Sequence, residues 1–441
     1  MRSIGIIGAG QAGIVLAAEL LRNGYRVNLY SDRSPQDYLS ERARSAACLF
    51  GDQVAAEREL GLAFWSGIAP EIERVHLDLC PEGLVALSVQ AGLRLPAVAV
   101  DQRLKFAHGL RELQARGARV RIGTVDADQL DQIAGDHDLT VVTTGNRGLG
   151  RGLFERDAER SSRHRPRRNL FLLNLRGCDT TASPGQEHLK LSVVPGVLEV
   201  RWVPFYDRHV GSARSVLVGA VPGRAGDRFA RVASATEGLA VLRELVREVL
   251  PWEEAFLAPA EPAHAEGWHR GSVVPTVRRA VATLPSGRQV LGLGDTVVVN
   301  DPLANQGANS AVRMARFLAE RILEHGNGSF DGEWMEAQFD RYWEYGQTVN
   351  AFSEALLEPL SGFRQDLLIA ASHHPRIGTD LFEGFNDPGR VYPWLAEPSA
   401  ARAFLAEHGV GGGRRLGYRL RQVGRVLGRR LSVRAGGGQP L

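Results

Sequence analysis

The stretch Gly8–Gly13 constrains the fold of this chain more than any other. It reads Gly-Ala-Gly-Gln-Ala-Gly, follows the apolar run Ser3–Ile7 and opens a helix-periodic segment that ends at Gly24, after which Arg26–Tyr30 reads as a second strand. A strand, a glycine turn, a helix and a strand in this order form the βαβ unit of a dinucleotide-binding domain. The sequence therefore predicts an α/β chain with a Rossmann-like domain.

The residue that meets the nucleotide ribose should stand at the end of the second strand, about twenty residues after the glycine turn. Ser31 and Asp32 both occupy that place. An acid there accepts hydrogen bonds from ribose hydroxyls, but it is equally at home as a solvated turn residue. The sequence leaves open which of the two binds the ribose.

A second glycine-rich helix start lies far along the chain, within Leu291–Arg316. There a strand ends in Gly294-Asp295, a loop carries Asp301-Pro302, and Gln306-Gly307-Ala308-Asn309 opens an apolar-periodic helix. Free backbone N–H groups at a helix start favour an anionic or electron-rich ligand. Two such starts predict one long ligand that is held at both ends.

The composition indicates an ordinary globular chain with an unusual C-terminus. Its 441 residues are 44% hydrophobic and 23% charged, enough for two or three domains. The net charge is +3, yet the segment 411–441 holds eight arginines and no acid, so the rest of the chain carries −5. Three scattered cysteines, no metal-spaced cluster, no leader and no membrane-length apolar run predict a cytoplasmic protein without a metal.

The order of elements predicts one domain interrupted by another. After the βαβ unit, Glu71–Val89 reads as a hairpin and four later runs read as a β-meander. These runs are Leu170–Leu175, Leu189–Val194, Leu198–Phe205 and Val216–Val221. We expect a nucleotide-binding domain in residues 1–60, 97–150 and 271–330, a β-rich substrate domain in 61–96 and 165–270, a helical layer in 331–408 and a basic tail in 409–441. The helices expected in the layer are Trp334–Leu360, Phe363–Ala371 and Ser399–Glu407.

The basic tail permits several interpretations. Four apolar residues fall on one helical face among the arginines, namely Leu416, Leu420, Val423 and Leu427. Such a helix could touch an anionic membrane, nucleic acid, the acidic body of the chain or a protein partner. Three glycines weaken the helix, so a solvated extension is at least as well supported. We expect no sequence-specific nucleic-acid binding, disfavour membrane contact and leave a homodimer open.

The motifs together resemble a known family. A distant GxGxxG followed by Gly-x-Gly-Asp, Asp-Pro and Gln-Gly-Ala-Asn is similar to flavoprotein monooxygenases of the p-hydroxybenzoate hydroxylase fold, and more narrowly to the oxygenase component of styrene and indole monooxygenases. Further similar stretches are Tyr30–Arg33 with Pro35, Ala99–Leu104, Glu112–Gly117 and Val273–Pro275. The resemblance implies a glutathione-reductase-type FAD-binding domain interrupted by a β-sheet substrate domain, with C-terminal helices.

The resemblance also implies which residues hold FAD. The ADP half would be bound by Gly8, Gly10, Gln11, Ala12, Gly13, Ser31 or Asp32, Arg33, Arg103 at the pyrophosphate and Val125 near the adenine. The flavin half would be bound by Arg44, Gly294, Asp295, Pro302, Gly307, Ala308 and Asn309. Pro302, Gly307 and Asn309 would surround the oxygen chemistry, in which no side-chain acid or base is expected.

The implied reaction is insertion of one oxygen atom from O2, through a C4a-(hydro)peroxyflavin, into an apolar alkene or indole-like ring; a thioether would also suit this oxidant. Self-sufficient hydroxylases carry a Gly-Ala-Asp-Gly-type segment tied to NAD(P)H where this chain has Thr144–Arg147. The resemblance therefore implies reduced FAD supplied by a separate NADH-dependent flavin reductase. Two departures from the family are Ala46–Gly51, in the pocket wall, and Asn305, which replaces a glycine.

Candidate substrate contacts are Ala47 and Leu49 in the departing wall, and Trp202 and Phe205 on the meander. Three other functions stay open. The first is a self-sufficient NAD(P)H-dependent FAD aromatic hydroxylase. The second is a redox-neutral or reductive flavoprotein of the same fold. The third is a flavin-binding protein that has lost its chemistry and acts through the tail.

Overall fold

Two β-sheets organise the computed structural model, which describes residues 2–178, 188–419 and 421. The first sheet has six strands in the order β15-β16-β7-β1-β2-β6. They are β1 (Ser3–Ile7), β2 (Arg26–Ser31), β6 (Arg119–Ile122), β7 (Leu139–Val142), β15 (Val281–Thr283) and β16 (Gln289–Gly292). All neighbours pair in parallel except β15 and β16. This is the α/β arrangement that the βαβ pattern predicts.

The second sheet has nine strands, in the order β12-β8-β11-β10-β9-β4-β5-β3 with β13 also paired to β8. They are β3 (Cys48–Leu49), β4 (Glu71–Leu79), β5 (Leu87–Ala99), β8 (Asn169–Arg176), β9 (His188–Val194), β10 (Leu198–Asp207), β11 (Gly211–Ala220), β12 (Glu261–Pro262) and β13 (Trp268–Ser272). A separate antiparallel pair joins β14 (Thr276–Val277) to β17 (Val298–Val299).

The predicted four-strand meander is wrong in its pairing. Strands β9, β10 and β11 follow one another antiparallel, but β8 pairs with β11, and β9 pairs in parallel with β4. The hairpin of β4 and β5 is present. Alternation of apolar residues marks a strand and its buried face but does not specify which edge it joins.

In the described part of the chain, fourteen α-helices lie between residues 11 and 407, and residues 412–419 at the start of the tail are also helical. The fourteen are α1 (Gln11–Arg22), α2 (Pro35–Ser40), α3 (Gly51–Glu59), α4 (Gln102–Ala115), α5 (Ala127–Asp136), α6 (Gly148–Leu153), α7 (Ala235–Val249), α8 (Glu254–Leu257), α9 (Gln306–His325), α10 (Gly332–Ala355), α11 (Gly362–Ala371), α12 (Pro375–Phe382), α13 (Pro388–Ala396) and α14 (Pro398–Glu407). Within the predicted helical layer, the short helices α12 and α13 were not predicted from the sequence. None of the described helices combines the length and apolar character needed to span a bilayer.

Three hydrophobic cores hold these layers together. The first packs the six-stranded sheet against α1, α4, α9 and α10. The second lies between one face of the nine-stranded sheet and the C-terminal helices. The third lies between the other face of that sheet and α7. The nine-stranded sheet is therefore covered on both faces, as its many buried strand residues require.

The start of the tail contacts the body of the chain. Arg419 pairs with the carboxylate of Asp366 on α11, and the hydroxyl of Tyr418 lies 2.6 Å from Nε2 of His374. Leu416 is exposed. The other three residues of the predicted apolar face, Leu420, Val423 and Leu427, lie outside the described residues, as does most of the tail.

Candidate active site

The two glycine-rich helix starts meet in the fold. Helices α1 and α9 pack side by side. A Cβ placed on Gly294 would lie 3.1 Å from Cβ of Ala12 and 3.9 Å from Cβ of Ala311, and Gly294 adopts a positive φ of 63°. The turn that carries Asp295 is therefore wedged between the two helices, where only glycine fits. The residues predicted to bind opposite halves of one ligand thus lie around one space.

The three glycines of Gly8–Gly13 have different surroundings. Gly8 has φ 114° and donates its N–H to the carbonyl of Tyr30 at 2.8 Å, while its own carbonyl accepts from Oγ1 of Thr143 at 2.7 Å. A Cβ on Gly13 would lie 2.0 Å from the Gly8 oxygen, whereas one on Gly10 would meet nothing within 4 Å. The first glycine makes the turn, the third permits close packing, and the second faces open space that a ligand can enter.

Neither helix start is closed by a side chain. Within the described ranges, the N-cap residues Gly10 of α1 and Asn305 of α9 make no capping hydrogen bond through a side chain. The first N–H groups of a helix have no partner inside the helix. Both starts therefore offer free donors, and the positive ends of both helix dipoles, to an anionic ligand.

Asp295 stands between these two helix starts. Its side chain is partly open to solvent, yet desolvation by the surrounding protein raises the pKa of the carboxyl group to about 6. The positive charge of Arg278 opposes that shift. Arg278 donates to the carbonyl of Thr296 at 3.1 Å and to the side-chain oxygen of Asn146. The N–H of Gly145 donates to Oγ1 of Thr296 at 3.0 Å. The segment 144–147 thus supports the Asp295 turn, a role that the sequence analysis missed.

Asn309 does not face the open space. Its side chain is fully buried, and its Nδ2 donates to the carbonyls of Cys48 at 2.9 Å and Asn305 at 2.7 Å. Its Oδ1 accepts from the N–H of Phe50 at 3.0 Å. Both amide hydrogens are used within the protein. The side chain of Asn309 therefore clamps β3 and does not line the open space, Gly307 and Ala308 remain at the helix start, and a place for Asn309 in the oxygen-reaction environment stays a prediction.

The backbone conformation of Asn305 accounts for the departure from the expected glycine at this position. It has φ 58° and is the one non-glycine residue with positive φ in the described part of the chain. Asparagine tolerates this left-handed conformation better than other residues with a Cβ. The glycine of the family is therefore replaced by the side chain best suited to the same backbone.

At the end of β2, Ser31 and Asp32 are placed differently. Ser31 is fully buried, and its hydroxyl donates to the carbonyl of Arg33 at 2.7 Å. Asp32 is exposed, and Nε of Arg33 donates to its carboxylate at 3.0 Å. Of the two candidates for the ribose, Asp32 is the accessible one.

The other predicted contacts of the ADP half have mixed surroundings. Arg103 is buried and donates through Nε to Asp101 at 2.9 Å and through Nη1 to the carbonyl of Glu41 at 2.9 Å. Only part of its guanidinium is left for a pyrophosphate. Arg44 is exposed on its loop, 3.5 Å from Glu41. Val125 is half-buried against the first core.

A cleft of about 530 Å³, open to solvent, joins the predicted pocket wall to the helix starts. Ala47 and Leu49 line it together with Gln11 and Ala308. Its other apolar lining residues are Val54, Leu62, Ala63, Trp65, Val98 and Val100. On its polar side, Gln11 donates to Glu57 at 2.8 Å, and the same carboxylate oxygen lies 2.5 Å from Nζ of Lys105. Predicted substrate and cofactor residues thus share one space.

Trp202 and Phe205 lie on opposite faces of β10. They are three residues apart in a strand, where side chains alternate with a period of two. Trp202 packs in the third core, with its ring 5.2 Å from that of Phe256. Phe205 packs in the second core with Cys48 and Ala304. Trp202 therefore faces away from the Pro302 loop, and its role as a substrate contact stays a prediction that this orientation does not favour.

Known proteins resemble this chain over most of its length. Residues 145–255 match a family described as the styrene monooxygenase A putative substrate binding domain. Styrene monooxygenase StyA of Pseudomonas fluorescens is 27% identical over 413 residues, which cover 90% of this chain and 96% of that protein. A second StyA, from Pseudomonas sp, is 28% identical over 410 residues with the same coverage.

Over most of its length this chain is therefore similar to styrene monooxygenases. The prediction of a flavoprotein monooxygenase is thereby confirmed at the level of enzyme class.

Solved structures are similar to this chain in fold. The flavin-dependent brominase Bmp2 superposes with a TM-score of 0.63 at 14% identity, covering 92% of this chain and 99% of that one. Pseudomonas aeruginosa PqsL in complex with 2-aminobenzoylacetate gives 0.59 at 15% identity, covering 87% and 99%. The tetrameric 2-methyl-3-hydroxypyridine-5-carboxylic acid oxygenase gives 0.57 at 18% identity, covering 85% and 97%. The predicted p-hydroxybenzoate hydroxylase-like fold is confirmed.

Proposed function

We propose that this chain is the oxygenase of a two-component, FAD-dependent monooxygenase that epoxidises an apolar alkene or an indole-like substrate. The observation that carries the proposal is the meeting of the α1 and α9 starts around Gly294 and Asp295, beside an apolar cleft. A dinucleotide that carries an aromatic ring system needs anion-binding groups for its pyrophosphate. Its ring needs a shielded environment that stabilises negative charge.

The residues present fit FAD. The open space at Gly10 and the uncapped start of α1 suit the pyrophosphate. The accessible carboxylate of Asp32 suits the ribose hydroxyls. Asp295 would accept hydrogen bonds from the hydroxyls of the ribityl chain, since with a pKa of about 6 its carboxylate is ionised at neutral pH, where it repels phosphate but accepts from alcohols. Bound reduced FAD and O2 supply the electrophilic oxygen atom.

The protein itself would contribute orientation, water exclusion and charge. The N–H groups of Gly307 and Ala308 lie at the positive end of α9, a helix of 20 residues, which suits the negative charge of a reduced flavin ring. The apolar walls around Leu49 and Trp65 would hold a substrate π-bond and keep water out. Addition of oxygen to an alkene requires no side-chain acid or base, and we assign none.

Supply of reduced FAD by a separate NADH-dependent flavin reductase is supported by the segment 144–147. Gly145 and Asn146 are engaged in supporting the Asp295 turn through Thr296 and Arg278. This supporting role is consistent with the missing NAD(P)H-associated motif. A self-sufficient hydroxylase is the second candidate function, and it predicts flavin reduction by NAD(P)H without a partner.

The decisive experiment separates these functions. The protein is mixed anaerobically with photoreduced FAD and then with ¹⁸O2 in the presence of styrene or indole, and the products are analysed by mass spectrometry. We expect one labelled oxygen per oxidised product, and no flavin reduction when NADH or NADPH replaces photoreduced FAD. Rapid reduction by either nucleotide would favour the self-sufficient enzyme. Absence of labelled product with every alkene, indole and thioether tested would refute the monooxygenase proposal.

A further inference from the structure

A buried arginine lies directly behind the Pro302 loop. Arg201 on β10 is 4% exposed, and its Nη1 donates to the backbone carbonyls of Pro302 at 3.1 Å and Leu303 at 2.9 Å. Its Nε is buried and has no hydrogen-bond partner among the residues that the structure describes. The sequence signal was a pair of charges, Glu199 and Arg201, inside the otherwise apolar run Leu198–Phe205, where the strand pattern calls for apolar side chains.

This guanidinium is not neutralised by an ion pair within the described residues. Glu199, which shares its face of β10, is held by Arg168, whose Nε donates to it at 2.7 Å. Asp301 is the acid of the loop itself. Its carboxylate accepts the N–H of Leu303 at 2.9 Å and so caps the short turn Pro302–Ala304. Burial of an unpaired charge is costly, so such a residue is rarely retained without a purpose.

Electrostatic conditions around Arg201 make its charge effective. Burial lowers the pKa of its guanidinium to about 10, which leaves it charged at neutral pH. Burial also raises the pKa of Asp301 to about 6. Charges in such a water-poor environment act at longer range than charges on the surface. The loop that contains Asp301 and accepts the hydrogen bonds of Arg201 leads directly into the start of α9.

We propose that Arg201 is a positioning residue that anchors the Asp301–Asn305 loop and whose buried positive charge makes the site prefer the anionic reduced flavin over the neutral oxidised ring. This inference rests on the proposed function, because it takes the flavin to lie against this loop. Preference for reduced flavin is what an oxygenase needs if its cofactor arrives already reduced.

The test compares the affinity of the full chain for photoreduced and oxidised FAD, by anaerobic fluorescence titration near pH 8, where Asp301 is ionised. In Arg201→Gln we expect the affinity for reduced FAD to fall about tenfold more than that for oxidised FAD. By linkage, this lowers the midpoint potential of the bound flavin by about 30 mV. Arg201→Lys keeps the charge and should restore most of the preference.

Asp301→Asn gives a test of opposite sign. Asparagine can keep the cap to Leu303 while removing the negative charge, so the preference for reduced FAD should rise. Arg364→Gln is the matched control, because Arg364 also donates to two backbone carbonyls, those of Leu395 and Ala355, but in the C-terminal helices. Its reduced-to-oxidised affinity ratio should stay unchanged.

Two results would overturn the inference. One is an equal loss of affinity for both flavin states in Arg201→Gln, which would indicate a purely structural anchor. The other is a shift of the same sign in Asp301→Asn and Arg201→Gln. If Arg201→Gln does not fold, Arg201→Lys and Asp301→Asn still show in which direction charge at this loop shifts the ratio of affinities for reduced and oxidised FAD. Failure of the wild-type protein to bind FAD at all would instead refute the proposed function.

Discussion

The side-chain amide of Asn309 donates to the backbone carbonyl of Cys48 at 2.9 Å and so ties the start of α9 to the short strand β3. The same residue receives the N–H of Phe50. The last residue of the Gln306–Asn309 motif therefore holds the wall of the cleft in place through its side chain. The wall segment Ala46–Gly51 departs from the family pattern, but Asn309, which holds it in place, matches that pattern.

Removal of this clamp should cost stability. Asn309→Ala would leave the Cys48 carbonyl and the Phe50 N–H without their buried partners, so we expect a loss of about 2–4 kcal/mol in the free energy of unfolding. Urea denaturation measures it. Gln347→Ala, an exposed substitution on α10, should change the free energy by less than about 0.5 kcal/mol. A similarly small effect of Asn309→Ala would contradict the clamp.

Two glycines of one turn should respond differently to alanine. Gly10→Ala fits the protein but enters the open space, so FAD affinity should fall at least about tenfold while stability changes by less than about 1 kcal/mol. Gly13→Ala places a methyl group 2.0 Å from the Gly8 oxygen and should destabilise the fold by about 1–3 kcal/mol. Paired FAD titrations and urea melts distinguish the two. Undiminished FAD binding by Gly10→Ala would mean that no ligand occupies this space.

The raised pKa of Asp295 predicts a pH-dependent stability. Because its folded pKa of about 6 exceeds the ordinary value of 3.8, the folded state gains a proton between these values, and the ionised carboxylate penalises folding above pH 6. The flavin-free Asp295→Asn protein should therefore be more stable than wild type at pH 8, by about 1 kcal/mol after allowance for solvent in the cleft, and no more stable at about pH 4.

Urea melts of both proteins across this pH range measure the difference. Asp128→Asn, at an exposed position in the first turn of α5, should show no such pH-dependent gain. A stability difference that is constant with pH would show that the carboxyl group of Asp295 titrates normally. The substitution should also weaken FAD binding, since an amide is a poorer acceptor for ribityl hydroxyls.

Arginines around the mouth of the site predict salt-dependent flavin capture. Burial lowers the pKa of His269, and the charges of Arg147, Arg44 and Arg42 lower it further, so these three arginines lie near one another around a neutral imidazole. Reduced FAD carries several negative charges and should be steered by them. In Arg147→Gln with Arg44→Gln, we expect the association rate of reduced FAD to fall several-fold at low ionic strength and to converge with wild type at about 0.5 M salt.

Stopped-flow mixing at several salt concentrations measures these rates. Arg26→Gln is the control, since Arg26 is exposed at the start of β2, at the opposite end of the strand from Ser31 and Asp32. Its association rate should match that of wild type throughout. A change confined to the dissociation rate of the double variant would show that the two arginines contact bound FAD and do not steer it.

Much of the fold was predictable because its signals are local. The glycines at 8, 10 and 13 lie between a strand and a helix, and each glycine has a steric reason that a reader of the sequence can state. Strand and helix periodicities marked the core faces of β10 and α9. The pairing of β8 with β11 could not be predicted, because it depends on contacts between segments far apart in the chain.

The sequence by itself determined the class of protein: an α/β flavoprotein with two glycine-rich helix starts, in which backbone conformations demand glycine or asparagine at Gly8, Gly294 and Asn305. Only the tertiary structure decided which side chains face the cleft and which are turned into the protein. It turned Asn309 inward, put Trp202 on the far face of its sheet and placed the charge of Arg201 behind the Pro302 loop. Side-chain direction and burial are properties of packed surfaces, and those surfaces form only when distant segments meet.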